Sequence, residues 1–507
     1  MISQIFSSKF RYWLVIFLSV LVLSYVGYVY QVVNQIGFSI ICLITVILTY
    51  KDIKFGLYII LAELFIGSKG YLFWLEISGT QVSLRLALFL IVLAFWLLYW
   101  FRKKSSNFLS SPFFRPTLFL AFFLLLGLVV GFIRNNDFSN IFFDVNGYLY
   151  LALIFLFFEV ITSRNRLIKI LQILAASLTM QAVFSLLLVY VFGHQFIFTM
   201  PSLYSWVREF GIGEITMVTS NYYRVFFQGQ VFALYAFFFF LAWIFFSNKL
   251  AKVKKEKYLV WLLLLIASLI IVVSFSRSFW LGLAGGLLFF AILLVKPLRF
   301  PFSTIVKKSI ISLLIVVTAV GLLFGLANFP FPKTSGSTSA SLLKDRALDD
   351  LTSEAAAASR WDLLPILWDK VLEHPIIGSG FGATATYKTS DPRFLESHPD
   401  GLYTTFAFEW TYLDIWIKIG IGGLLAYFYL LFRIIHYGYK LLAKDDANNY
   451  LSLGFLTALI ALLFLNLTTP YLNHPLGIGF FMLAAASFYL LNQPDGQLNE
   501  KSHSITG

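Results

Sequence analysis

The chain has 507 residues, 59% of them hydrophobic and only 12% charged, with a mean hydropathy of +0.82. Water-soluble domains do not tolerate that balance, so the chain reads as an integral membrane protein, and soluble enzymes are excluded. Its net charge of +13 has to be explained by position rather than by a soluble polyanionic partner.

About 20 apolar residues carry a helix across the hydrocarbon. Such runs recur nearly from end to end, and they predict an all-α polytopic membrane protein with about 14 transmembrane helices and one large outer loop containing short amphipathic helices. The first run, from about Tyr12 to Tyr30, is long enough to span, and no small-residue cleavage site follows it, so it reads as a span rather than a signal peptide. Later spans are expected to begin near residues 35, 54, 83, 116, 146, 168, 223, 258, 279, 309, 410, 449 and 475. The organisation this gives is a transmembrane bundle over 1–327, a large loop over 328–409, three C-terminal spans over 410–492 and a tail over 493–507. The single cysteine, Cys42, lies inside a predicted span and has no internal partner for a disulfide.

Alternate connections are basic: "YKDIKF", "FRKKSSNFLSSPFFR", "SRNRLIK", "NKLAKVKKEK", "KPLRFPFSTIVKK" and "FRIIHYGYKLLAK". With Lys9, Arg11 and Lys501 they hold 24 of the 38 Lys and Arg residues, whereas the short loops between them contain only Lys69, Arg85, Arg134, Arg208, Arg224 and Arg277. By the positive-inside rule both termini are cytoplasmic, and the net charge follows from topology and anionic headgroups without nucleic acid.

That orientation puts Arg277, in the tight turn "SFSRSFWLG", on the outer side. The same side receives Arg224 in "SNYYRVFFQGQ", at the mouth of the eighth predicted span, and the long polar segment. This segment opens with "PKTSGSTSAS", continues as "LLKDRALDDLTSEAAAASRWDLLPILWDKVLEH", which reads as short amphipathic helices at the membrane surface, and ends in the Pro and Gly turn "HPIIGSGFG". A connection of about 80 residues is too long to be only a linker, and loops of that size usually carry function. Glu63 and Glu159 lie within predicted spans, where a carboxylate is costly unless it is paired or functional.

No Walker loop, H-E-x-x-H, C-x-x-C or G-x-S-x-G is present, and the six histidines are scattered without ligand spacing, so neither a metal nor another cofactor is expected. What remains is a basic pair at the outer interface, a large loop with carboxylates and histidines, and 57 Phe, 26 Tyr and 12 Trp residues. Guanidinium forks match phosphate oxygens, lipid-facing grooves accept a polyprenyl chain, and aromatic faces stack on sugars. Each residue also has a plainer reading, since an interfacial arginine can merely snorkel, Arg360 can pair with a neighbouring carboxylate, and the aromatics can simply fill the membrane and its interfacial belts.

Arg224 before an apolar span, Arg277 in an S-R-S turn, "SRWDLLPILWDKVLEHPIIGSGFG" in the large loop and the closing "EWTYLDIWIKIGIGGLLAYF" together resemble the O-antigen ligase and polymerase superfamily of bacterial membrane glycosyltransferases, best over residues 220–435. The resemblance implies transfer of a glycan from an undecaprenyl diphosphate carrier to a glycan or lipid acceptor hydroxyl, on the outer side of the cytoplasmic membrane and without a metal. It implies that Arg224 and Arg277 hold the diphosphate, with Arg360 as a further candidate. Where the family shows a histidine opening an H-N-x-Y-L stretch, this chain reads "EWTYL", so the candidates for general base are Glu409, which stands in that place, and His398, in "ESHPDG". A polysaccharide or lipid-linked glycan transporter or flippase is the alternative, and it would place paired ionisable residues deep in broken, repeated helices.

Overall fold

The computed structural model describes residues 5–77, 79–104, 106–219, 221–250, 254–332, 337–348, 355–389, 395, 399–444 and 449–493. His398 and the tail beyond residue 493 lie outside the described residues. The first helices are α1 (Ser8–Val29), α2 (Gln31–Lys51) and α3 (Ile53–Ile66), followed by a hairpin of β1 (Trp74–Ile77) and β2 (Thr80–Ser83). Then come α4 (Leu84–Lys103), α5 (Phe114–Ile133), α6 (Phe138–Leu149), which runs through one 3₁₀ turn into α7 (Ile154–Val160), and α8 (Arg164–Gly193). A short helix α9 (Met200–Glu209) and a hairpin of β3 (Gly213–Thr219) and β4 (Tyr222–Phe227) precede α10 (Val231–Leu250), α11 (Lys254–Ser274), α12 (Arg277–Val295) and α13 (Phe302–Ala327). The long loop holds α14 (Ser341–Leu348), α15 (Ala355–Glu373) and a hairpin of β5 (Ala385–Lys388) and β6 (Leu402–Thr405), and the chain closes with α16 (Thr411–Leu442), α17 (Asn449–Leu465) and α18 (Pro475–Leu491).

The protein is a multi-pass, all-α membrane protein. Eleven of the described helices are long and apolar enough to cross a membrane, and three shorter apolar helices, α3, α17 and α18, stand at the other expected span positions. Helix α10 is apolar all round and buried all round, as a central helix must be, and packs against α11, α13 and α17. The peripheral α1, α2 and α5 instead leave wide apolar faces exposed, which suits contact with lipid.

Three features differ from the sequence-based expectation. The expected third span is only a 14-residue helix that stops at Gly67, whose φ of +80° is a left-handed conformation and whose backbone packs on Gly229. Arg85, expected on a short exposed loop, is buried in the first turn of α4, where its Nε and Nη2 hold the Glu63 carboxylate at 2.8 and 2.9 Å. Helix α15 does not simply lie on a membrane surface: Leu363, Leu367 and Val371 form a small apolar cluster with Tyr387, Phe408 and Ile417, so it packs along the first turns of α16.

The Pro and Gly turn after α15 plugs a break in α16. Gly420 has φ +70° and ψ 177°, a conformation essentially reserved for glycine, and interrupts the helix ladder there. The segment supplies the missing partners: the Ser379 amide donates to the Ile417 carbonyl (2.5 Å), and the Ile421 amide donates to the Pro375 carbonyl (3.0 Å). Asn136 fixes the same segment from α5's end by donating to the Ser379 and Phe381 carbonyls. A broken helix is tolerated in an apolar surrounding only when its backbone groups are satisfied this way.

Candidate active site

Strand β4 explains why Arg224 faces inward. Alternate residues of a strand share a face, and here Tyr222 meets Phe275, Phe226 meets Phe279, and Arg224 between them donates from Nε to the Ser274 carbonyl at 3.0 Å. Tyr223 and Phe227, on the other face, pack against Phe192 and Phe184 of α8. Arg224 is therefore carried by a strand of a hairpin, paired opposite Thr216, and not by the mouth of a helix as expected. Burial pushes the Tyr222 phenol well above its ordinary range, so its ring adds no charge beside the guanidinium.

The turn that receives Arg224 is itself strained. Phe275 adopts φ +47° although it has a side chain, and its buried ring is wedged against Tyr222 and Trp280. A non-glycine residue in that region costs about 1–2 kcal/mol, which surrounding packing must offset. Arg277 opens α12 directly after the turn, and its Nε donates to the Arg346 carbonyl of α14 at 3.0 Å. Arg346 returns the contact, with its Nε 3.4 Å from the Phe275 carbonyl. Three arginines from β4, α12 and the long loop thus gather on residues 274–277.

Glu409 stands at the start of α16. It forms an ion pair with Arg360 of α15, both side chains being nearly half-exposed. Beside them the Trp410 indole donates to the Arg360 carbonyl at 2.9 Å, and Trp361 packs edge-on to Trp410 at 5.3 Å. A guanidinium thus stands beside the Glu409 carboxylate. The structure places Arg360 on Glu409.

Helix α17 links the two groups. Tyr412, one turn after Glu409, donates to the Leu463 carbonyl at 2.7 Å, while Thr469, just beyond α17, donates to Ser278 at 2.7 Å. The Arg277 turn and the Glu409 helix start consequently meet the same end of α17. Guanidinium groups on the one segment can hold an anionic leaving group, and a carboxylate on the other can take a proton from a hydroxyl.

Residues 262–428 match the family model described as O-antigen ligase. This region is similar to the O-antigen ligase family. A search of curated proteins finds no match. The matched region runs from within α11 to within α16 and so contains Arg277, Arg346, Arg360 and Glu409, whereas Arg224 lies outside it on the preceding strand.

Two parts of this site escape a linear reading. Arg346 sits in "LLKDRALDD", where its neighbouring charges suggest only a solvated helix face. Lys418, within the matched region, is 4% exposed and contacts Asp144 of α6 at 2.5 Å and Asp414 at 2.6 Å, while Asn473 donates to Asp414 and the Gly382 amide to Asp144. The i, i+4 spacing of Asp414 and Lys418 was available in the sequence as a signal, but Asp144 was not. Of the expected intramembrane carboxylates, Glu63 is held by Arg85, and Glu159 by Lys103 and the Asn107 amide.

Proposed function

We propose that this protein transfers a glycan from an undecaprenyl diphosphate carrier to an acceptor hydroxyl at the outer face of the cytoplasmic membrane. The observation that supports the reading is the convergence of Arg224 and Arg277 on one strained turn, at the same end of α17 as Glu409. In this reading the guanidinium groups of Arg224 and Arg277 hold the diphosphate. The acceptor oxygen attacks the anomeric carbon and forms the new C–O bond. The bond to the diphosphate oxygen breaks, and undecaprenyl diphosphate leaves with the electron pair. The acceptor proton passes to the Glu409 carboxylate, which Arg360 orients and which a helix start keeps in place.

The test is transfer by the purified protein in lipid discs from a lipid-linked oligosaccharide. The Arg224→Ala, Arg277→Ala double variant, at wild-type protein level, is expected to lose both transfer and carrier binding. Normal transfer and binding by that variant overturn the reading. Ligase and polymerase activities separate in a deletion strain: polymerase loss leaves short surface chains, and ligase loss leaves unattached lipid-linked ones.

A further inference from the structure

We propose that α15 is a binding strip for the glycan, formed by Trp361 and Trp368 with Asp362 and Asp369, on which successive sugar rings lie as they lead away from Glu409. The inference rests on the reading of this protein as a glycan transferase with Glu409 at the reacting centre, and it names where the sugars of that substrate are held. Its starting point is a repeat within α15: "WDLLPILWDK" contains a Trp-Asp pair twice, seven residues apart. Seven residues make close to two helical turns, so the two pairs share one face, about 10 Å apart along the axis.

Leu363, Leu367 and Val371 turn the other side of α15 into the protein, which leaves the repeat outside, with Trp361 41% and Trp368 48% exposed. Each ring is nevertheless fixed by a second tryptophan at the start of α16. Trp361 packs edge-on to Trp410 at 5.3 Å, and Trp368 edge-on to Trp416 at 6.0 Å. The supporting indoles donate their own N–H groups to the Arg360 and Pro375 carbonyls. Among the described residues, the indole N–H groups of Trp361 and Trp368 and the carboxylates of Asp362 and Asp369 have no hydrogen-bond partner. Pro365, exposed between the two pairs, has no N–H to give the Trp361 carbonyl, so that carbonyl lacks its usual helical donor.

A sugar ring matches this set of groups. Its C–H-bearing side lies against an electron-rich indole face, while its hydroxyls donate to a carboxylate and accept from an indole N–H. Rings already held in place lose little freedom when the ligand arrives. The first pair adjoins the candidate reacting centre, because Trp361 follows Arg360, the partner of Glu409, and its support Trp410 follows Glu409 itself. A membrane surface is the other apolar partner open to exposed tryptophans. Helices that lie on one carry Lys and Arg beside the aromatic face. Here an aspartate stands beside each tryptophan, and the neighbouring Lys370 is taken by Glu373 at 2.8 Å.

The experiment uses the full-length protein in lipid discs and an oligosaccharide released by mild acid from the source strain's own surface polysaccharide, free of lipid and phosphate. Trp368→Leu keeps an apolar side chain that a membrane would accept but loses the aromatic face, and Trp368→Tyr restores one. Trp368→Leu is expected to weaken oligosaccharide binding about 5-fold or more, with Trp368→Tyr recovering most of the loss. In transfer assays Trp368→Leu is expected to raise the KM of the glycan-bearing substrate while kcat changes less than about 2-fold. A rise for the lipid-linked donor assigns the strip to the donor glycan, and a rise for the acceptor assigns it to the acceptor glycan. In the wild-type protein the same oligosaccharide is expected to shield Trp361 and Trp368 from hydroxyl-radical oxidation, read by mass spectrometry, a measurement that needs no folded variant. Indoles left unshielded, or equal losses in the Leu and Tyr variants, overturn the inference, and unchanged binding by Trp368→Leu overturns it in favour of a membrane contact. The probe carries no phosphate, so the two readings fail separately. If the Arg224→Ala, Arg277→Ala double variant keeps transfer while Trp368→Leu loses the oligosaccharide, the strip stands and the diphosphate site falls; if the double variant loses transfer while the oligosaccharide shields neither indole, the strip alone falls.

Discussion

Lys418 and Asp144 are 274 residues apart in the chain and meet inside the protein, Nζ to Oδ1 at 2.5 Å, with both side chains about 95% buried. Asp414, fully buried, takes the other side of the ammonium, and the Lys418 ammonium also lies 5.4 Å from the Phe408 ring centre. The network clamps α6, α16 and the segment before α18 together.

Removing one partner from a buried charge network leaves the others uncompensated, which typically costs about 3–5 kcal/mol. Lys418→Met is therefore expected to lower the thermal midpoint in detergent sharply, because two buried carboxylates lose their cation. Adding Asp144→Asn and Asp414→Asn removes those charges while keeping an acceptor for the Gly382 amide, and is expected to restore more than half of the loss. A triple variant less stable than Lys418→Met would show that the network does not act through charge balance.

Gly420→Ala tests the plugged break in α16. A Cβ there would lie 2.1 Å from the Ile376 carbonyl oxygen, on a backbone that residues with side chains do not adopt. The expected loss is at least about 2–3 kcal/mol, from backbone strain together with displacement of the plug. Gly321 has open space around its Cβ position, so Gly321→Ala serves as the control and is expected to change the midpoint little.

Sidedness can be read by labelling. In a Cys42→Ser background, a cysteine at Ser337, exposed at the start of the long loop, is expected to react with an impermeant thiol reagent in spheroplasts. One at Ser110, exposed among the basic connections, is expected to react only after permeabilisation. The opposite pattern would put the arginine turn on the cytoplasmic side and remove the proposed donor.

Glu409→Gln keeps the shape and hydrogen bonding of the side chain but cannot accept a proton. Transfer is expected to fall about 100-fold or more, in line with the loss of a general base, while carrier binding persists. Arg360→Met is expected to lower transfer by a smaller factor, since it removes the partner that orients the carboxylate. Should Glu409→Gln retain turnover and His398→Ala lose it, the base is His398.

Most of the apolar helices and the segregation of Lys and Arg to alternate connections were legible in the sequence, because each depends on the local apolar content of about 20 residues and on the flanking charges; that three of the expected spans are helices of only 14 to 17 residues was not. Arg224, Arg277 and Glu409 were legible as candidates because they interrupt or border apolar runs where charge is costly. What they touch was settled only by tertiary structure. Strand alternation in β4 turns Arg224 onto the Ser274 carbonyl, and docking of α14 brings Arg346 to a turn some 70 residues earlier in the chain. Lys418 reads in the sequence as one charge on a long amphipathic helix; its burial depends on Asp144, which α6 delivers from another part of the bundle. Local pattern sets what must leave water, whereas the pairing of buried charges depends on which helices pack side by side, and no window of sequence contains both partners.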